Sequence, residues 1–384
     1  MQIIKTILKR IFPRPFLKEA FLIYNKVRIH TIDKVLFPEY LIDKDKFLEY
    51  RTGYPFRENK IKTDSIKDER VKQYMENWNS WTQEEYLLLL KTPCFIEPEY
   101  GWAIVPPNKL VYFSLGISRT PFQKKPDLRK FLRKRNVETL PLAISIRDTG
   151  EENYFHFFND VLTKIFFLKS NGVDVENIPI IISSKLWEKT YFQLYYKQSS
   201  LLASIKWIVQ DQQYIHCDSV YFCKPLTHRI DLWQLIITPF LKEAKDKPRK
   251  IFITRSKNRL RFLENADQIE NVFSSIGFEI IDADNYSTED QIRIFSDAEC
   301  IAGIHGAGLT NMVYRNGVCK VFEIFPPPEQ GYLPFHYIML AQMKAFDYQA
   351  IIGEKGLVKY SGGFYVEPAK VREQLLQLYY LQFS

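Results

Sequence analysis

From Pro141 onward the chain alternates short apolar runs with longer stretches of helical composition. Leu142–Ile146, Ile178–Ile182, Ile205–Val209 and Ser219–Cys223 read as strands, and Asn153–Ser170 and Leu186–Lys197 as helices. Runs that are apolar without interruption fit strands covered on both faces, so the alternation predicts parallel strands joined by crossover helices. A second series follows a charged stretch at 242–250. Ile251–Thr254 is a strand, Asp267–Ile276 a helix, Phe278–Ile281 a strand, and Ser287 caps a helix reaching Ala298. Asp290 completes a pattern like a capping box. Cys300–Ile304 is the next strand, Ala307–Arg315 a helix ended by Asn316-Gly317, and Val318–Phe325 a strand stopped by three prolines. Four strands alternating with three helices predict a Rossmann-like half. Upstream, 94–116 reads as small antiparallel strands, and 30–90 is charged and irregular.

The first twelve residues have another period. Ile3, Ile4, Ile7, Leu8, Ile11 and Phe12 recur at helical spacing beside Lys5, Lys9 and Arg10, and Pro13 ends the pattern. Such a basic amphipathic helix can lie on an anionic membrane, or its apolar stripe can pack on the chain's own body. With 384 residues the chain is long enough for two domains. The predicted division is an N-terminal segment 1–30, an α/β domain 31–242, a Rossmann-like domain 251–365, and a helix 366–384 returning to the first domain.

Composition narrows the function classes. Hydrophobic residues make up 46% and aromatics 15%, which permits sizeable cores. The net charge of +8 suits an anionic partner, but no nucleic-acid module is visible and no such partner is expected. Five cysteines (94, 217, 223, 300 and 319) match no metal spacing and read as buried free thiols of a reducing, cytoplasmic compartment. Neither a signal-peptide core nor a membrane-spanning run appears.

The candidate chemistry gathers at 299–328. Gly306 and Gly308 permit a close backbone approach at a strand-to-helix turn, whose N–H groups and positive helix end suit a diphosphate. His305 ends the strand, Thr310 and Asn311 are polar in an apolar helix, and Glu323 interrupts an apolar strand, where an unpaired carboxylate is costly. Arg255 ends an earlier strand of the same parallel sheet and so shares an edge with His305. It is read as a diphosphate ligand, and Glu323 as an acceptor for ribose hydroxyls. His156 and Asp160, at i and i+4, share one helix face and fit a general base with its orienting carboxylate, in either order of roles; Asn159 is a lesser candidate. Asp282-Ala283-Asp284 offers a rival Mn²⁺ reading or an ordinary turn.

The strings Gly-Ile-His-Gly-Ala-Gly-Leu-Thr-Asn-Met (303–312) and Val-Phe-Glu-Ile-Phe-Pro (321–326) resemble the signature of glycosyltransferase family 61. Ile-Thr-Arg at 253–255 matches further. His156 with Asp160 is similar to the family's His-Trp-x-x-Asp segment, with Phe157 in place of Trp. The resemblance covers 250–330 and part of 140–170. It implies an inverting transfer from a nucleotide-sugar donor on the GT-B fold, two Rossmann-like domains facing a cleft. The donor-binding positions are then Arg255, His305, Gly306, Ala307, Gly308, Thr310, Asn311 and Glu323, and the catalytic ones His156 and Asp160. No cofactor and no metal are expected, since the nucleotide sugar is a substrate. Lacking a leader, the chain looks like bacterial members that build surface polysaccharide such as capsule or lipopolysaccharide. A glycan or lipid-linked glycan acceptor follows, with the protein cytoplasmic or peripheral on the inner membrane face. The alternative is a non-catalytic glycan- or nucleotide-binding protein on the same fold.

Overall fold

The computed structural model describes residues 61–76, 81–83, 85–118, 131–134, 138–241, 248–257, 261–328, 333–357 and 362–380, with Ile23, Glu39–Tyr40, Phe47–Arg51 and Arg57–Asn59. The amphipathic stretch 1–12 and most of the charged stretch at 242–250 lie outside these residues.

Two sheets dominate. The first contains β1 (Phe47–Arg51), β2 (Tyr86–Leu90), β3 (Ala143–Ser145), β4 (Ile180–Ser183), β5 (Trp207–Gln210) and β6 (Val220–Lys224), in the order β5-β4-β3-β6-β2-β1. Its β3, β4, β5 and β6 pair in parallel, while β6, β2 and β1 pair antiparallel. A side sheet holds the predicted small antiparallel strands Cys94–Ile96, Ala103–Val105 and Lys109–Val111. The second main sheet is wholly parallel. It contains β7 (Arg249–Ile253), β8 (Glu279–Ile281), β9 (Ala298–Ile304), β10 (Lys320–Phe325) and β11 (Asp347–Ile352), in the order β8-β7-β9-β10-β11.

The period of two along β7 shows how the second sheet is covered. Ile251 and Ile253 face one apolar cluster, and Phe252 between them faces another. Phe252 stacks on Phe273 at a centroid distance of 4.0 Å. Phe273 belongs to the helix Ala266–Ser275, which connects β7 to β8. The helix Thr288–Ser296 returns from β8 to β9, and Ser287 caps it by accepting from the Asp290 N–H, as the pattern predicts.

One expectation changes, and two sets of contacts join the halves. The C-terminal helix Pro368–Tyr380 exists, but its apolar face does not return to the first sheet. Val371 and Leu375 join Phe252, Ile269 and Phe273 on the outer face of the second sheet, where an unmatched apolar surface was waiting. The segment 61–76 also docks on the second sheet. Gln349 of β11 accepts from the Lys67 N–H at 2.9 Å and donates to the Ser65 carbonyl at 2.5 Å. Finally, one continuous apolar cluster runs from Phe155, Phe157 and Phe158 in the first half to Ile253, Leu309 and Met312 in the second. The two halves are in contact along this cluster.

Candidate active site

The glycine turn closes β9. His305 and Gly306 lead into a 3-10 helix, Ala307–Tyr314, where the composition had suggested an α-helix. Gly306 is extended, with φ at 164°, so turn geometry is not what requires glycine. Space is: a Cβ there would lie 2.8 Å from a terminal nitrogen of Arg255. The guanidinium lies flat against this backbone, and its Nη1 donates to the His305 carbonyl at 3.3 Å. Arg255, Gly306 and Gly308 line one pocket together with Asp282 and Asp284. The pocket opens at the C-terminal ends of β7 and β9, where the strand order reverses, the usual ligand position of an open parallel sheet. The N–H groups of Ala307 and Gly308 belong to the first turn of the helix, which provides them with no acceptor.

Other residues of the turn are committed elsewhere. Glu323, completely buried, accepts from His305 Nδ1 at 2.5 Å with one oxygen and from the Tyr348 hydroxyl at 2.5 Å with the other. Both carboxylate oxygens are thus bonded within the chain, and the fully buried side chain does not line the pocket where a ribose contact was expected. The anomaly was real, since an apolar strand tolerates a carboxylate only if it is paired, but the partner is a histidine and not a ligand. Thr310 and Asn311 are fully buried. Asn311 donates to Gln291 at 2.9 Å, which ties the turn to the preceding helix. Neither lines the pocket.

His156 and Asp160 lie in the first half, on a helix in three segments: Tyr154–His156, a π-helical turn Phe157–Leu162, and Thr163–Ser170. Asn153 caps its start, accepting from the Phe155 N–H. His156 Nδ1 meets Asp160 Oδ2 at 2.7 Å. The π turn is a familiar device for aiming side chains at functional sites. Asp160 is held from behind: Asn159 Nδ2 donates to its other oxygen at 3.1 Å, and Asn159 Oδ1 accepts from the His228 N–H at 2.8 Å. Burial raises the Asp160 carboxyl, but the His156 bond and charge, with Lys224 and Lys164, outweigh it and hold the carboxyl below its ordinary range. Burial likewise lowers His156, and Asp160 with the charge of Asp148 overcomes this, so the imidazole sits above its ordinary 6.5. With Asp160 ionised, Nδ1 carries the proton and Nε2 is the basic atom. Beneath the pair, Lys164 anchors the loop after β3 by donating to Asp148 at 2.9 Å and to the Arg147 carbonyl at 3.1 Å.

The two regions meet through aromatic residues. Tyr154, two residues before His156, bonds Tyr314 of the 3-10 helix at 3.1 Å, and Tyr195 bonds Tyr314 as well. Sequence reasoning missed His336, the first residue of the helix His336–Met343. Its ring packs on Phe155 at 4.5 Å, and the next residue, Tyr337, packs on His305 at 5.3 Å. Burial, then the charge of His156, push His336 down to about 4, with Asp160 opposing and His305 assisting. Its Nδ1 is buried and has no hydrogen-bond partner among the described residues. The sequence signal was weak, a single histidine heading an apolar helix. Asp282 and Asp284 form an ordinary turn in which Asp282 accepts from the Asp284 N–H at 3.1 Å. All five cysteines are free and buried. Among the described residues no helix is long and apolar enough to cross a membrane.

Comparison with known proteins bears on this arrangement. The family model Glycosyltransferase 61 matches residues 154–322, less than half of the chain, and so spans His156, Asp160, Arg255 and the glycine turn. An alpha-1,3-arabinosyltransferase of Oryza sativa subsp. japonica, XAT3, is 28% identical over 204 residues, 45% of this chain and 34% of the relative. A second from the same plant, XAT2, is 26% identical over 269 residues, 61% of this chain and 44% of the relative. The EGF domain-specific O-linked N-acetylglucosamine transferase of Mus musculus is 25% identical over 132 residues, 33% of this chain and 23% of the relative. The chain therefore spans less than half the length of these curated relatives. None of their names speaks for a bacterial surface polysaccharide. Over residues 154–322 the chain is thus similar to glycosyltransferase family 61, and the relatives it matches are transferases.

Proposed function

We propose that the chain is an inverting, metal-independent glycosyltransferase that moves a sugar from a nucleotide-sugar donor to a hydroxyl of a glycan. The observation that carries the reading is the pairing of an accessible His156–Asp160 dyad with a separate pocket built from Arg255 and the glycine turn. The two lie on different halves of the chain and are joined by packed aromatics, as expected if one half holds the donor and the other activates the acceptor. A GT-B arrangement fits this division of labour.

In the proposed reaction His156 Nε2 takes the proton of the acceptor hydroxyl, and Asp160 stabilises the imidazolium that forms. The acceptor oxygen bonds to the anomeric carbon from the side opposite the leaving group, so configuration inverts. The bond from that carbon to the diphosphate oxygen breaks, and its electron pair stays with the diphosphate. Arg255 and the N–H groups of Ala307 and Gly308 receive the charge. Those groups do the work a cation does elsewhere, which is the motive for metal independence.

The test is turnover of the full chain against a panel of nucleotide sugars, with and without EDTA. Release of nucleoside diphosphate from one donor, unaffected by EDTA, is expected. Loss in EDTA with rescue by Mn²⁺ would restore the metal reading of Asp282 and Asp284. Binding of nucleotide sugar with no turnover on any acceptor or water would favour a non-catalytic binding protein.

A further inference from the structure

The loss of Glu323 as a ribose ligand leaves a question that the pocket answers. A nucleoside diphosphate seated on Arg255 and the glycine turn presents a vicinal diol, and a carboxylate is the side chain that accepts from both hydroxyls. Two carboxylates line this pocket, Asp282 and Asp284. Asp282 follows β8, which lies next to β7, the strand that Arg255 follows by two residues. In a parallel sheet, strands neighbouring in this way are about 4.8 Å apart, so the end of β8 and the glycine turn after β9 are about 10 Å apart. That separation is comparable with the reach from a ribose diol to the second phosphate. Asp282 is also half-buried and held by its own turn. Its Oδ1 accepts from the Asp284 N–H, and Oδ2 makes no hydrogen bond among the described residues. Asp284 is exposed.

Resting on the reading of this pocket as the donor nucleotide site, we propose that Asp282 binds the ribose diol and makes the site selective for ribonucleotides. Oδ2 has a lone pair for each hydroxyl, and Oδ1 keeps the carboxylate oriented through the turn. A carboxylate at the end of β8 is also two strand spacings from the glycine turn that receives the diphosphate it would repel.

The experiment is calorimetric titration of the full chain with UDP and GDP, their 2′-deoxy counterparts and inorganic pyrophosphate. The variant is Asp282→Ser, whose hydroxyl still caps the turn but which lacks the second oxygen. Wild-type protein should bind the favoured ribonucleotide roughly tenfold or more tighter than its 2′-deoxy form. In Asp282→Ser that ratio should fall to near one, with pyrophosphate affinity unchanged. A ratio that survives the substitution overturns the inference alone. Equal loss of pyrophosphate affinity, or pyrophosphate binding that needs Mn²⁺, overturns it in favour of a cation at Asp282. If wild-type protein binds neither nucleotide nor pyrophosphate, the donor-site reading fails, and this inference with it.

Discussion

His156 leans on Asp160 and His305 leans on Glu323, at 2.7 and 2.5 Å respectively. The contacts are alike and the surroundings are not. In the first pair 28% of the histidine side chain is exposed, and in the second 7%, over a carboxylate with none. Asp160 is braced by an amide, and the side chain of its histidine stays partly exposed. Glu323 is shared with Tyr348, and its histidine is stacked against Phe325 at 5.2 Å. An imidazole can take a proton from a substrate only if the substrate can reach it. Accessibility therefore separates the pair proposed as catalytic from the buried one, and the same contact in a closed setting holds the turn beside Arg255 in place.

The substitutions that follow should pull the two pairs apart. His156→Ala should reduce turnover about 10²–10⁴-fold with nucleotide affinity unchanged, because a general base acts in the transition state. Near-normal turnover would remove His156 from the mechanism. Glu323→Ala should act on the fold instead, since it leaves the His305 and Tyr348 hydrogen-bonding groups buried without their acceptor. A loss of about 2–5 kcal/mol in denaturant unfolding is expected. A variant as stable as the parent would mean that the second pair is not structural.

Arg255→Ala should weaken nucleoside diphosphate binding by about 1.5–3 kcal/mol, read by calorimetry. Gly306→Ala tests the same contact from the backbone side. Its methyl displaces the guanidinium, so affinity should fall by about 1 kcal/mol, and by almost nothing once Arg255 has been removed, because the two changes remove one interaction. Additive losses would refute the argument from close approach.

The smallest effect concerns pH. His156 must be neutral to accept a proton, and its value is raised above 6.5 by Asp160. Turnover should therefore fall as pH drops through a value above 6.5. In Asp160→Asn the limb should move to lower pH while the plateau decreases. An unmoved limb would assign it to another group. His336, held near 4, does not titrate in that range.

Much of this arrangement was legible in the residues. Apolar runs of strand length separated by helical stretches determine a parallel α/β sheet, because only strands buried on both faces lack polar alternation. Parallel strands place their C-terminal ends on one edge, so Arg255 and the glycine turn had to converge. The i, i+4 spacing likewise brought His156 to Asp160. Tertiary structure decided where contacts depend on which face another element covers. Nothing local to β10 says that Tyr348, a neighbouring strand away, takes the second oxygen of Glu323. Nor does a local pattern say that the helix headed by His336 packs between the two histidines. Periodicity shows that the C-terminal helix has an apolar face, but not which exposed surface completes it. A side chain's period is set by its own backbone, whereas its partner comes from chain far away in sequence.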